Sequence, residues 1–299
     1  MFKENLKKFV TENPQLVTMK PAGDNMYVLK YTRQVFFKSL WNDFLEECRG
    51  TIVDADFNVI SRPFTKVFNY GVEDRCPSFE KSTLVTAYRK INGFMVCVTW
   101  HNNDVLVSTT GSTSSDYVQL AKDMMVKHMD WTDWQIEVCG SQGLSLMFEC
   151  VHPDDPHIVP EQPGMYFLGW RENTWGSVVK GYGVQIANHW TDYAENVLNC
   201  YVPEAFVLPL DELQTKSRYA KHEGFVAYTE NNESFKIKSP YYLVNKALAR
   251  KKDILSLNKA LVEEEYYPLV GHLTEIKDQF NALSEQDRLS YMRQYLEQA

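Results

Sequence analysis

The chain has 299 residues, 44% apolar and 23% charged, which suits a globular protein with one large domain plus a small one, or two modest ones. Its net charge of −8 argues against a protein that coats nucleic acid non-specifically, because phosphate binding wants a basic surface, yet it leaves room for an enzyme with a local basic groove. The aromatic share of 13% serves cores and base stacking alike and decides nothing alone. The six cysteines include no CxxC pair and read as buried free thiols in a reducing compartment. The opening MFKENLKKFVTENP lacks the apolar core of a signal peptide, and no apolar run approaches the roughly 18 residues of a membrane span.

In chain order, residues 3–12 predict a helix with Leu6, Phe9 and Val10 on one face. YVLKYT and GTIVDADFNVISRPF read as short strands and turns. Residues 84–99 and 104–109 read as paired strands around an HNND turn. Ser115 to His128 predicts an amphipathic helix with Tyr117, Leu120, Ala121, Met124 and Met125 on its apolar side. LSLMFECV, MYFLGWRE and SVVKGYGVQIA are further strand candidates, and GFVAYTENNESFKIKS alternates as a hairpin around Glu230–Glu233. After Pro240 the texture turns helical over Tyr241–Leu261 and Leu273–Leu296, with a capping box from Ser284 to Asp287. These elements predict a mixed α+β region to about residue 240, then a small all-helical tail.

Lys90 sits in YRKINGFMVCV between two apolar runs, and Gly93, three residues on, allows backbone to approach a bound nucleotide closely. A lone KxxG is weak, and an edge lysine of a hairpin explains it equally well. Glu149 lies inside the apolar LMFECV, where a carboxylate must point outward or have a partner. Glu223-Gly224-Phe225-Val226 opens the hairpin, and Lys236-Ile237-Lys238 closes it with both lysines on one face. Such a face beside Lys90 demands an anion, and a triphosphate would serve.

The ordered set of KxxG, an acidic strand residue, EGxV and KxK resembles the motif series of covalent nucleotidyl transferases. In detail it is most similar to the phage RNA ligase 1 family. Glu47-Cys48-Arg49-Gly50 resembles that family's ECRG element, and Ser61-Arg62-Pro63-Phe64-Thr65-Lys66-Val67-Phe68-Asn69 its SRPxxKFFN element. LMFECVHPDDPHIV resembles its FEFVSPxNRIV block, and Leu168 to Asn173 its LxxREN segment. The likeness runs from about residue 45 to 242. Two departures stand out. The family's KxDGS is Lys90-Ile91-Asn92-Gly93-Phe94 here, and a lysine that precedes a Gly-Ser pair after the next strand is Thr110.

The resemblance implies an α+β fold: an adenylyltransferase domain of antiparallel sheets flanked by helices over 1–242, and a small helical domain over 243–299. It implies an ATP-dependent RNA ligase in RNA (tRNA) repair. Lys90 would attack the α-phosphorus of ATP and become lysyl-AMP, AMP would pass to an RNA 5′-phosphate, and a 3′-hydroxyl would then displace it. Attack needs the neutral amine, which nearby cations and partial burial favour. Lys236 or Lys238 would stabilise the α-phosphate, and Glu223 would bind Mg²⁺ (or Mn²⁺) or the lysine. Arg49 and Lys66 would grip the β- and γ-phosphates, and Glu149 the ribose. Gly93 and Gly224 would permit close approach, the backbone near Arg89 would read adenine, and Tyr241 or Tyr242 would complete the pocket. Expected partners are RNA with 5′-phosphate and 3′-hydroxyl ends and a polynucleotide kinase-phosphatase, with no membrane, in a bacterial cytoplasm if the chain is phage-encoded. The alternatives are a DNA ligase or capping-type enzyme, for which strands of an OB-fold rather than helices would follow KxK, and a non-catalytic nucleotide- or RNA-binding module. His152 and His157 flank a proline-rich loop that reads as surface before metal site.

Overall fold

The computed structural model describes residues 1–72, 75–129, 140, 141, 143–155, 157–175, 193–250 and 267–298. It begins with helix α1 (Phe2–Glu12), strands β1 (Val17–Pro21) and β2 (Met26–Tyr31), and helices α2 (Arg33–Phe37) and α3 (Asp43–Glu47). Strands β3 (Arg49–Asp54), β4 (Val59–Ser61), β5 (Phe68–Asn69), β6 (Leu84–Arg89), β7 (Phe94–His101) and β8 (Asp104–Thr109) follow. Next come α4 (Asp116–His128), β9 (Leu144–Val151), β10 (Gly164–Glu172), β11 (Ala205–Pro209), α5 (Leu210–Tyr219), β12 (Gly224–Thr229) and β13 (Ser234–Lys238). Helices α6 (Pro240–Arg250), α7 (Tyr267–Glu275), α8 (Lys277–Asn281) and α9 (Glu285–Gln298) close the chain. SVVKGYGVQIA and the sixth cysteine, Cys139, lie outside the described residues.

Packing divides the chain into two compact units, residues 1–67, 93–156 and 161–203 in the first and 68–92, 157–160 and 204–299 in the second. The expected boundary at residue 242 falls inside the second unit. In the first unit, one sheet has the order β1-β2-β3-β4 and another β10-β9-β7-β8. Leu6 and Val10, one helical turn apart, bury the inner face of α1. The side chain of Asn42 caps α3 by accepting from the N–H groups of Phe44 and Leu45 at 3.1 and 2.9 Å. Asn102 and Asn103 both take positive φ, the backbone that a two-residue hairpin between β7 and β8 requires. Every residue of β9 is buried, Ser145 and Glu149 included, which explains its mostly apolar run.

The single run over 84–99 is two strands. β6 belongs to the sheet of the second unit and β7 to the first, because residues 90–93 break the strand. The buried stripe of α4 is Val118, Ala121, Met124 and Met125. Tyr117 is exposed instead: its hydroxyl donates to Asp155 at 3.4 Å and its ring meets Phe94 edge-on. The stripe turns toward Val118 because it joins a cluster beneath α4 that draws on β7, β8, β9 and β10.

The second unit holds a five-stranded sheet of order β11-β6-β12-β13-β5, antiparallel except for β13 beside β5. The described residues after 240 are helical and share a core of Tyr242, Val244, Leu269, Leu273, Phe280 and Met292, joined by Val159. Ser284 caps α9 as its spacing predicts: it accepts the Asp287 N–H at 3.2 Å and donates to the Asp287 carboxylate at 2.6 Å. Cys48, Cys97, Cys150 and Cys200 are buried free thiols and Cys76 is half-buried.

The Glu47 carboxylate organises the first unit. Arg171 reaches it at 2.6 and 3.0 Å, Arg62 at 2.8 and 3.3 Å, and all three side chains are buried. Arg171 also donates to Pro63 O at 2.7 Å, and Arg62 to Thr174 O. Burial raises the Glu47 pKa, but the two guanidinium groups outweigh it and hold the carboxyl below its usual range. Beside this cluster, Ser145 Oγ accepts the Arg62 N–H at 2.9 Å and donates to Asn173 at 2.6 Å. Three sequence blocks, ECRG, SRP and REN, are thus joined by one buried network. Glu47→Gln removes the carboxylate that both buried arginines share and is expected to destabilise the fold by about 3–5 kcal/mol, read as a shift in the urea midpoint.

Candidate active site

The second unit places Lys90 directly after β6. The Lys90 N–H donates to Gly224 O at 2.8 Å, extending the β6–β12 ladder by one bond and fixing where the lysine leaves the sheet. Its Nζ meets the buried Glu223 carboxylate at 3.0 Å, and Lys238 Nζ lies 3.9 Å from the other oxygen of the same group. The anion that the lysine-rich face demands is therefore supplied by the chain itself. Lys238 lies opposite Gly224 and Lys236 opposite Val226, so both lysines share one face of the sheet, next to a Tyr88–Tyr228 edge-on pair. Gly224 has φ +132°, and a Cβ there would sit 2.0 Å from Ile237 O. Only glycine fits that approach.

Ser239 ties this region to the C-terminal helices. Its N–H donates to Glu223 O at 3.0 Å, its hydroxyl to His222 O at 2.5 Å, and it accepts the Tyr242 N–H at 3.1 Å. Ser239-Pro240 is an N-cap followed by proline at the first helical position, a signal present in the sequence and missed in the reading of it. Tyr242 is buried, and Lys238 Nζ lies 5.2 Å from its ring centre.

Arg89 pairs with Phe225, so its side chain takes the face opposite Lys236 and Lys238, while its N–H donates to Glu204 O at 2.8 Å. On that face Arg89, Glu204, Phe206, Lys216, His222 and Phe225 line a cavity of about 540 Å³. His222 accepts the Gly224 N–H through Nδ1 at 3.2 Å. Burial, then the Arg89 charge, push its pKa down to about 4.

The first unit holds the other expected residues. The Gly93 N–H donates to Glu149 Oε1 at 3.1 Å, which gives the buried strand carboxylate its partner. A Cβ on Gly93 would lie 2.3 Å from Cys150 O, so this glycine is required by the β9 backbone, whatever a nucleotide needs. Met95 lies opposite Glu149 across the β7–β9 pair, and Arg49 Nη1 lies 3.6 Å from Met95 Sδ. Lys66 is buried, with Nζ 4.7 and 5.1 Å from the ring centres of Trp41 and Phe36. Asn92, which replaces the family's aspartate, belongs to the second unit; it is buried, and its Nδ2 has no hydrogen-bond partner among the described residues. His152 Nδ1 accepts the Asp154 N–H at 3.0 Å, as a loop histidine does.

A family profile described as RNA ligase matches residues 47–242, well over half of the chain. The chain belongs to the phage RNA ligase 1 family. A curated relative, an RNA ligase from Rhodothermus phage RM378, is 24% identical over 192 residues, 52% of this chain and 43% of the relative, so the match spans less than half of that protein's length. Two solved structures share the fold. An archaeal ATP-dependent RNA ligase has a TM-score of 0.60 at 16% identity, covering 98% of this chain and 74% of the other. A protein described as an ATP-dependent DNA ligase from Aquifex aeolicus has 0.58 at 14%, covering 97% and 76%. The motif blocks of this RNA ligase family member thus include structural parts, Glu47, Arg62 and Arg171, as well as the Lys90–Glu223–Lys238 cluster.

Two outcomes follow from this geometry. Gly93→Ala is expected to cost about 1–3 kcal/mol in thermal unfolding with no nucleotide present, because the clash is with the strand. His222 is neutral in the fold and gains a proton on unfolding, so its share of stability is complete above pH 6.5 and is lost as pH falls from 6.5 toward 4. An NMR titration should show the His222 ring unprotonated at pH 5, and His222→Gln should flatten the stability profile over that window.

Proposed function

We propose that this chain is an ATP-dependent RNA ligase that joins 5′-phosphate and 3′-hydroxyl RNA ends through a lysyl-AMP and an RNA-adenylate, in RNA (tRNA) repair. The observation that carries the reading is the 3.0 Å contact of Lys90 with the buried Glu223 carboxylate, beside Lys238, in a member of this family. A buried acid holds the amine in place and offers it an adjacent proton acceptor. Lys90 then bonds to the α-phosphorus of ATP, the bond to the β-phosphate oxygen breaks, and pyrophosphate leaves. Lys236 and Lys238 are the cations for the charge that develops on the α-phosphate. Lys238 contacts Glu223 as well, so Glu223 is shared between nucleophile and charge stabiliser.

Glu149, Arg49 and Lys66 take their roles from the motif order of the family: ribose hydroxyls for the first, β- and γ-phosphates for the others. Tyr242 is assigned to the pocket wall on the same ground. The adenine contact is assigned to backbone near Arg89, whose side chain takes the opposite face of the sheet. Mg²⁺ or Mn²⁺ fits a donor set of one carboxylate plus phosphate oxygens, and Glu223 is the carboxylate that would supply it. When bound, such an ion neutralises phosphate charge and orients the leaving group. RNA is the proposed partner, with a polynucleotide kinase-phosphatase preparing its ends, in a bacterial cytoplasm if the chain is phage-encoded.

Labelled ATP and Mg²⁺ followed by denaturing electrophoresis tests the reading. Wild-type chain should carry label, Lys90→Ala none, and Glu223→Gln roughly 10²-fold less per unit time. Label that survives Lys90→Ala, or labelling by GTP in place of ATP, would overturn it. Joining of nicked DNA but of no RNA substrate would reassign the chain to DNA.

A further inference from the structure

We infer that Lys30 is a further phosphate-binding residue of the first unit, standing beside Arg49 at the loop of Thr110, Gly111 and Ser112. The inference rests on the ligase reading for its substrate and on local geometry for the site. Lys30 and Arg49 lie directly opposite each other across the β2–β3 pair, next to a register shift between Leu29 and Lys30. Like charges in that position repel, and a fold that keeps them there needs an anion or open water between them. Lys30 is half-buried, and among the described residues its ammonium makes neither a hydrogen bond nor an ion pair. Arg49 reaches Met95 Sδ and no carboxylate among the same residues. Burial, then Lys20, then Arg49 lower the Lys30 pKa, the mark of an ammonium that meets cations and no counter-charge.

The place of the ammonium is also fixed. Lys30 follows Val28 on the apolar face where Met26, Val28 and Ile52 pack with Leu106 of β8, so its stem runs along buried surface. Its Nζ ends 2.6 Å from where a Cβ on Gly111 would be. The head thus stands at the end of β8, one residue beyond Thr110, where a neutral residue leaves the loop without a charge of its own. β2 delivers a lysine in space to a loop that lacks one in sequence. A tetrahedral phosphate matches a fork-shaped guanidinium on one side and a point-like ammonium on the other.

Phosphate at this position has two sources, the polyphosphate of ATP and the backbone of RNA. Lys30→Met keeps the length and apolar stem and removes the charge, so the fold should persist; Lys30→Arg keeps the charge. Calorimetric titration with inorganic tripolyphosphate and gel-shift titration with a 5′-phosphorylated oligoribonucleotide at several salt concentrations separate the sources. If the site takes the nucleotide, Lys30→Met weakens tripolyphosphate binding roughly tenfold, AMP binding is unchanged and Lys30→Arg restores most of the loss. If it takes RNA, tripolyphosphate binding is unchanged and the salt slope of RNA binding falls by about one. Wild-type affinity and slope in both titrations of Lys30→Met would overturn the site. Both titrations are independent of labelling at Lys90, so a chain that never forms lysyl-AMP would sink the ligase reading and leave this result standing or falling alone.

Discussion

The first unit depends on one carboxylate. Glu47 ends α3, Arg62 follows β4 and Arg171 is near the end of β10, and no two of them are neighbours in sequence. Their side chains nevertheless converge in a buried cluster with two positive charges and one negative. Such a cluster is tolerable only when its hydrogen bonds are met, and backbone carbonyls of Pro63 and Thr174 take up part of the excess donors. The network sets where β3 starts, and so where Arg49 stands. The residue proposed to meet phosphate is thus placed by a buried network of other side chains.

The second unit solves a related problem with opposite balance. Lys90 and Lys238 converge on a single buried acid, Glu223, so the cations here are held together by an internal anion. A substrate phosphate would compete with Glu223 for the same two ammonium groups. On the proposed reading the arrangement is preorganised: the cations would need no recruitment and would only exchange one oxyanion for another. Backbone bonds do the remaining placement, through Lys90 to Gly224 and Ser239 to Glu223, which makes the cluster a property of strand register more than of side-chain packing.

Much of this was legible in the sequence, and the rest was hidden for definable reasons. Alternation along GFVAYT and SFKIK placed Lys236 and Lys238 on one face, and Ser284 with Asp287 announced a cap, because both depend on local geometry. The break of 84–99 into strands of two sheets was not legible, since apolar runs on both sides of Lys90 look the same whichever sheet they join. The buried stripe of α4 turned toward Val118 because tertiary neighbours, not helical period, decide between adjacent faces. The contact of Glu223 with Lys90 was one of two roles that the family's motif order implied for it, whereas that Lys30 would stand at Gly111 depends on a contact between distant segments that no spacing encodes. SVVKGYGVQIA and most of Tyr241–Leu261 lie beyond the described residues.

Gly93 carries a consequence for how such motifs are read. Its missing side chain makes room for a strand carbonyl, so selection for folding alone would retain it. The same holds for Glu47, Arg62 and Arg171. A descendant that had lost its chemistry could therefore keep much of the family signature, and the glycine of KxxG would be a poor witness to activity. Lys90 has no comparable duty in the sheet: its backbone makes the ladder bond that any residue but proline could make. The lysine side chain takes no part in the ladder and instead meets the buried Glu223 carboxylate, so its presence speaks for the site and not for the sheet.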